Sequence, residues 1–428
     1  VASFSAAQLG SSLAIVPRGT RRPLLASWEQ RRGRRSIAGK NPATAQGEGD
    51  GEGGGGAGDG PRQRRAWLGS QGRLRCALPV RLLEKGSEKR RCDDQGALLR
   101  DLPHRPLHHQ ERVGNRHVPR CSRRSNGLNS FPCRSRHEIL GVVTSVGSGV
   151  TKFKAGETVG VGYFLGSCRS CECCGNGYEN YCSGMVLTSN GIDPEHGGAV
   201  TQGGFSDVIV VNQDYVVRVP DGLPLDGAAP LLCAGVTVYS PMMRFGLNTP
   251  GKHLGVVGLG GLGHVAVKFG KAFGMKVTVI STSPGKREEA LERLCADEFL
   301  VSRDPEQMQK AVGTMDGIID TVSAWHPISP LFALMKPMGQ MVFVGGPTKP
   351  LELPAYAIVP GGKGIAGNCV GGIRDCQAML DFAGKHGITA EVEVIKMDYV
   401  NTALERLEKN DVRYRFVIDV AGSLGSTA

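Results

Sequence analysis

Five of the 13 cysteines crowd into one short run, CRSCECCGNGYENYC, from Cys168 to Cys182. Cys168, Cys171, Cys174 and Cys182 are separated by two, two and seven residues. Four thiolates on one tight loop form the tetrahedral, soft donor set that Zn²⁺ takes in closed structural sites. Cys173 is a fifth thiol, and the bare spacing also allows registers that use it. In a reducing compartment such clustering points to metal rather than to disulfides. His137 and Cys233, with Glu138 beside the histidine, are candidates for a second, catalytic zinc. Taken alone, each is also an ordinary structural residue, a buried cysteine especially.

A second chemistry stands at Gly258–Gly263, GLGGLG. Val256 and Val257 end an apolar run before it, and apolar residues from Val265 to Phe273 follow at helical spacing. Strand, glycine turn and helix make a pyrophosphate cradle, because backbone N–H groups at a helix N-terminus attract the anion only where side chains leave room. A second β-branched strand, Lys276–Ser281, begins where the next turn would meet the ribose. The acidic residue that would hold the 2′-hydroxyl of NAD is absent there. Ser281, Thr282, Ser283, Lys286 and Arg287 offer donors and positive charge suited to a 2′-phosphate, so the expected cofactor is NADP.

These residues need scaffolds, and the chain has room for two or three domains in its 428 residues. The formal net charge of +11 resides wholly in the front third: residues 1–136 balance to +16 and residues 137–428 to −5. The remainder therefore has no global field that would recruit an acidic polymer, and nucleic acid is not an expected partner. The first 136 residues combine Arg-dense runs with a Gly/Glu/Asp tract at Gly47–Gly60 and show no sustained periodicity, so they read as disordered. No apolar run reaches the roughly 18 residues that span a bilayer, and no secretory core opens the chain, which predicts a soluble cytoplasmic protein. From His137 short alternating segments predict a small β-rich domain up to Cys233. After it, strands alternate with helices at Lys286–Leu294, Glu298–Val301, Pro305–Val312, Gly317–Val322, Ser329–Met335 and Gln340–Gly345. That alternation predicts an α/β, doubly wound parallel sheet.

The His137–Glu138 pair, the four-cysteine lobe, TQGGF (Thr201–Phe205), PLLCAGVTVYSP (Pro230–Pro241), GLGGLGH, STSPGK and NDVRYRFVIDV (Asn410–Val420) together resemble the zinc-dependent medium-chain alcohol dehydrogenases. The likeness is greatest to the plant cinnamyl alcohol dehydrogenase and mannitol dehydrogenase branch, and runs from His137 to Gly422. It implies a GroES-like catalytic domain (residues 137–233), a Rossmann NADP-binding domain (234–371) and a C-terminal return to the catalytic domain (372–428). It also implies a homodimer and reversible NADP-dependent reduction of a small aldehyde, cinnamyl or related, as in phenylpropanoid and lignin metabolism. By position, Cys233 and His137 correspond to catalytic zinc ligands, with Glu138 an alternate ligand or neighbour, and Cys173 drops out of the structural set. Thr237, Gly258, Leu259, Gly260, Gly261, Leu262, Gly263, Ser281, Thr282, Ser283, Lys286, Thr321, Gly345, Asn368, Cys369 and Val370 correspond to cofactor contacts. Leu187 and Cys369 stand where lignin-type members carry aromatic pocket residues, which favours mannitol or a general aldehyde as the competing substrate.

One departure is large. The family's Cys-His-Ser/Thr-Asp element, which supplies the first catalytic zinc ligand and the proton relay, is missing upstream of His137, and Arg136 occupies a glycine position. Cys121 and Cys133 lie in another context. Back-translated with permitted codons and read one base later, Leu102–Pro119 can give CHTDLSTTKNEWGTAMYP, which is the family's pattern. The expectation is a frameshifted or mis-spliced reading whose frame is restored between Ser122 and Arg136. As written, the chain would then be impaired, a remnant that keeps NADP and structural zinc.

Overall fold

The computed structural model describes residues 137–206 and 208–423, together with the backbone of 78–83. The expectations for the rest of the first 136 residues lie outside that range. The segment Leu78–Leu83 corrects the reading of this region as patternless, because it forms a strand, β1.

β1 lies inside a five-stranded sheet with β2 (Ile139–Val146), β3 (Thr158–Val161), β8 (Ile209–Asn212) and β9 (Val216–Arg218), in the order β8-β1-β2-β3-β9. It runs parallel to β2 and β8, whereas β2–β3 and β3–β9 are antiparallel. Between β3 and β8 the chain forms two small hairpins, β4 (Phe164–Gly166) with β5 (Val186–Leu187) and β6 (Ser189–Asp193) with β7 (Ala199–Gln202). The four-cysteine loop is the long connection of the first hairpin.

The second sheet has six strands: β10 (His253–Val257), β11 (Lys276–Ser281), β12 (Glu298–Val301), β13 (Met315–Asp320), β14 (Met335–Phe343) and β15 (Gly364–Gly367). Every pairing is parallel and the order is β12-β11-β10-β13-β14-β15. The strand order reverses between β10 and β13, and that reversal opens a crevice at the carboxyl ends. Leu254, Val256, Val277, Val279, Ile318 and Ile319 are fully buried, as expected of strands covered on both faces. The helices α1 (Ala234–Arg244), α2 (Gly263–Ala272) and α3 (Ile373–His386) pack with this sheet into one continuous core.

β16 (Val392–Ile395) and β17 (Arg415–Ile418) pair in parallel after α3. Met397, Val400, Ile418 and Val420 are buried against Ile139, Val143 and Val161 of the first sheet, so the C-terminal segment completes the core begun at β2. Two expected elements change character. The helix expected over Lys286–Leu294 is a 3₁₀ turn at Pro284–Lys286 followed by a π-type turn at Glu289–Arg293, with no side chain capping its start. The strand expected from Gln340 starts at Met335.

Candidate functional site

The residues expected at the cofactor gather at the carboxyl ends of the parallel strands. Gly258 follows β10, Ser281 ends β11, Thr321 follows β13, Gly345 lies just beyond β14, and Asn368 follows β15. In open parallel sheets ligands bind in this crevice. Gly258 has φ +87°, and a Cβ there would lie 2.7 Å from Val322 Cγ2. A Cβ on Gly263 would overlap the Gly258 carbonyl oxygen, whereas one on Gly260 would meet nothing within 4 Å. The turn is thus closed by two glycines and open toward solvent at a third. Leu259 is buried beneath it and Leu262 is half-buried. The Thr321 hydroxyl donates to the Val257 carbonyl, 2.8 Å, and ties β13 to the start of the turn.

His264, absent from the sequence-derived site, fixes the turn to the C-terminal segment. It is wholly buried, stacks on Tyr414 at 4.4 Å, places Nδ1 2.8 Å from the Gly260 carbonyl and accepts the Glu391 N–H at Nε2, 3.1 Å. That pattern sets the neutral ring with its proton on Nδ1. Burial pushes the His264 pKa down to about 3.

On the ribose side, Ser281 is buried and accepts the Ser283 N–H at its hydroxyl, while Thr282 and Ser283 are exposed. Lys286 reaches back to donate to the Leu259 carbonyl at 2.6 Å, so its ammonium lies against the glycine turn. Burial, then the neighbouring Arg413, lowers its pKa. On the opposite side, Asn368 donates to the carbonyls of Thr237 (3.0 Å) and Val370 (2.8 Å), joining α1 to the segment after β15. Val370 has φ +49°, a strained conformation for a β-branched residue, and Cys369 is exposed.

His137 and Cys233 come together although nearly a hundred residues separate them. His137 Nε2 is 3.1 Å from Cys233 Sγ, and the ring packs edge-on against Tyr163 at 4.9 Å. Cys233 occupies the break between the 3₁₀ turn Ala229–Leu232 and α1, with φ −125° and ψ −66°, and its thiol faces His137. A tetrahedral zinc would hold these two atoms about 3.5 Å apart, and the observed separation needs only a small opening. Burial raises the Cys233 pKa, and Glu138 adds to the effect.

Glu138 is 1% exposed and faces Arg415, whose Nη2 lies 3.7 Å from Oε1. Arg415 in turn lies under the glycine turn, since a Cβ on Gly261 would come 2.7 Å from its Nε. One guanidinium therefore lies against both Glu138, beside the His137–Cys233 pair, and the glycine turn. Arg415 went unassigned in the sequence because no local spacing links it to either.

The four-cysteine lobe closes on itself. The sulfurs of Cys168, Cys171, Cys174 and Cys182 all lie within 4.8 Å of one another, with Cys171–Cys174 at 3.5 Å and Cys168–Cys174 at 4.0 Å. A tetrahedral tetrathiolate zinc requires about 3.8 Å, so the cage fits the ion. The N–H groups of Cys168 and Gly184 point at Cys182 Sγ (3.4 and 3.3 Å), as anionic thiolates require. Backbone N–H groups, Ser170 first, lower the Cys168 pKa to about 6, whereas burial raises Cys174 to about 12. Cys173 stays outside the cage.

Two family models match the chain: a zinc-binding dehydrogenase domain over residues 261–385 and an alcohol dehydrogenase GroES-like domain over residues 116–221. The second match begins upstream of His137. A solved structure of a cinnamyl alcohol dehydrogenase from Sorghum bicolor superposes with a TM-score of 0.66 at 75% identity, covering 67% of this chain and 81% of the other. A cinnamyl alcohol dehydrogenase from Helicobacter pylori, complexed with NADP(H), gives 0.64 at 34% identity, covering 69% and 84%. The probable cinnamyl alcohol dehydrogenase 8C of Oryza sativa subsp. japonica is 82% identical over 294 residues, 68% of this chain and 67% of its own length. Fold and matches together define a zinc-dependent medium-chain alcohol dehydrogenase. Within that class the chain belongs to the plant cinnamyl alcohol dehydrogenase and mannitol dehydrogenase branch.

Proposed function

We infer that this chain is by family a zinc- and NADP-dependent alcohol dehydrogenase, of the kind that reversibly reduces hydroxycinnamyl or related aldehydes to alcohols, and that its turnover depends on the upstream zinc-ligand element missing from the sequence as written. One observation carries the reading: the His137–Cys233 pair, at 3.1 Å, is joined through Glu138 and Arg415 to the glycine turn, so the residues proposed for the metal and for the cofactor are contiguous. Cys233 and His137 would hold a zinc that would act as a Lewis acid on the aldehyde oxygen, and the bound nicotinamide would supply hydride. The chain's own residues do the rest. The N–H groups of Gly258–Gly263 hold the pyrophosphate, and Ser281–Ser283 with Lys286 take the 2′-phosphate. Thr237 and Asn368–Val370 orient the nicotinamide. The Cys168, Cys171, Cys174 and Cys182 cage holds a structural zinc.

We assign residues 137–233 and 372–428 to the catalytic domain and 234–371 to the cofactor domain, and expect a cytoplasmic homodimer. Among the described residues no helix is long and apolar enough to cross a membrane. Mannitol or a general aldehyde is the alternative substrate, favoured by Leu187 and Cys369. A second reading, an impaired remnant, rests on the missing upstream cysteine ligand. Elemental analysis separates the two: two zincs per chain support the dehydrogenase, one supports the remnant, and none removes the assignment of the cysteine cage.

A further inference from the structure

The four-cysteine lobe and the segment after β15 are held together by several direct contacts. At the end of the lobe, Asn180 donates from Nδ2 to the Cys369 carbonyl, 3.0 Å, and the Tyr181 hydroxyl donates to Asn368 Oδ1, 2.8 Å. The same Asn368 amide spends its two N–H bonds on the Thr237 and Val370 carbonyls, so the tyrosine supplies the partner that completes it. Glu179 accepts the Ile373 N–H, 3.3 Å, and a Cβ on Gly372 would overlap the Gly177 carbonyl oxygen, so the lobe sits flush on the turn that starts α3. Arg244, at the end of α1, lies over the rings of Tyr178 (5.3 Å), Tyr181 (5.9 Å) and Phe245 (5.3 Å). α1 is the helix that carries Thr237, and Cys233 stands at its entrance.

The clamped segment is a strained one. Val370 adopts φ +49°, and such a conformation in a β-branched residue persists only where the surroundings over-determine it. The lobe provides two of the hydrogen bonds that do so, on the two residues immediately before it.

We propose that Asn180 and Tyr181 are positioning residues for the cofactor: the structural-zinc lobe holds Asn368–Val370 in the conformation that receives the nicotinamide end of NADPH, so that the lobe sets cofactor affinity as well as stability. This rests on the reading of Asn368–Val370 as a cofactor segment. Neither residue is expected to touch the cofactor itself.

The test uses the full chain loaded with zinc, titrated with NADPH and followed by the change in NADPH fluorescence, with zinc content and the cofactor-free melting midpoint measured on the same samples. Tyr181→Phe keeps the ring over Arg244 and removes only the hydroxyl. Asn180→Ala removes the bond to Cys369 independently. Each is expected to raise the Kd for NADPH by about 3- to 10-fold, the worth of one hydrogen bond, with zinc content unchanged. Addition of NADPH should also raise the melting midpoint of each variant less than that of the parent chain. Variants that bind NADPH as the parent does, whether or not their cofactor-free midpoint falls, overturn the proposal and leave the lobe a stability element. A parent chain that binds no NADPH overturns the functional reading and the proposal with it.

Discussion

His264 gives the sharpest thermodynamic expectation. The ring is buried as the neutral form between the Gly260 carbonyl and the Glu391 N–H, and its pKa falls from about 6.5 unfolded to about 3 folded. The folded value is depressed, so the unfolded chain binds the proton more tightly and stability is lost as pH falls. The contribution is complete above pH 6.5 and declines through the window from 6.5 to 3. Between pH 7.5 and 5.5 this one ring removes about 1.4 kcal/mol. His264→Leu should be less stable at pH 7.5 by about 1–3 kcal/mol, since the Glu391 N–H loses its acceptor. It should also lose about 1.4 kcal/mol less than the parent between the two pH values. Urea unfolding followed by far-ultraviolet circular dichroism at both pH values measures the difference, and other titrating groups common to both proteins cancel in it. Equal losses in parent and variant would refute the placement of a neutral, buried His264 at the glycine turn.

His326 acts in the opposite sense. Its Nε2 lies 2.8 Å from buried Asp320, and that hydrogen bond raises its pKa, so its stabilisation is complete below pH 6.5 and is lost as pH rises through the higher folded value. His326→Gln should therefore destabilise more at pH 6 than at pH 9 in the same unfolding assay. Gly263→Ala forces a Cβ onto the Gly258 carbonyl oxygen, and a loss of about 1–3 kcal/mol in urea with abolished NADPH binding is expected. Lys286→Ala removes a cation beside the glycine turn and should cut the preference for NADPH over NADH by about 10- to 100-fold in paired titrations. Unchanged preference would move the 2′-phosphate elsewhere. Cys174→Ser opens the cage, and the zinc content should fall by one per chain with a lower melting midpoint.

What the sequence disclosed was local and periodic. The strand Lys276–Ser281 lies where its β-branched run placed it, Glu298–Val301 lies where the alternation of elements placed it, and the glycine turn sits between a strand and a helix as its spacing required. The cysteine cage was legible because its ligands share one loop. The pairing of His137 with Cys233 was not readable from spacing: the two stood as candidates by residue type, and the family's motifs gave them matching roles. Arg415, His264, Asn180 and Tyr181 were missed for one physical reason. Each acts across a long stretch of chain through isolated hydrogen bonds, ion pairs or ring contacts, and such contacts leave no period in the sequence. The helix expected at Lys286–Leu294 has suitable composition, but the structure gives its start no capping side chain, and the turn widens to the π form.

The frame reading bears on the catalytic metal. His137 and Cys233 are the two proposed ligands, and the third is expected in the sequence that Leu102–Pro119 gives when read one base later. Sequencing of the transcript settles whether that segment is translated as printed, and a clean message encoding Leu102–Pro119 in frame removes the idea.

The central claim is hydride transfer between NADPH and a zinc-held aldehyde at the His137–Cys233 pair. Its most direct test is NADPH-dependent reduction of cinnamaldehyde, measured on the chain as printed and on the chain carrying CHTDLSTTKNEWGTAMYP in place of Leu102–Pro119. The restored chain should turn over, and the printed chain should show little or no activity. A restored chain that holds two zincs and binds NADPH, yet reduces neither cinnamaldehyde nor any aldehyde of a broad panel, would contradict the account.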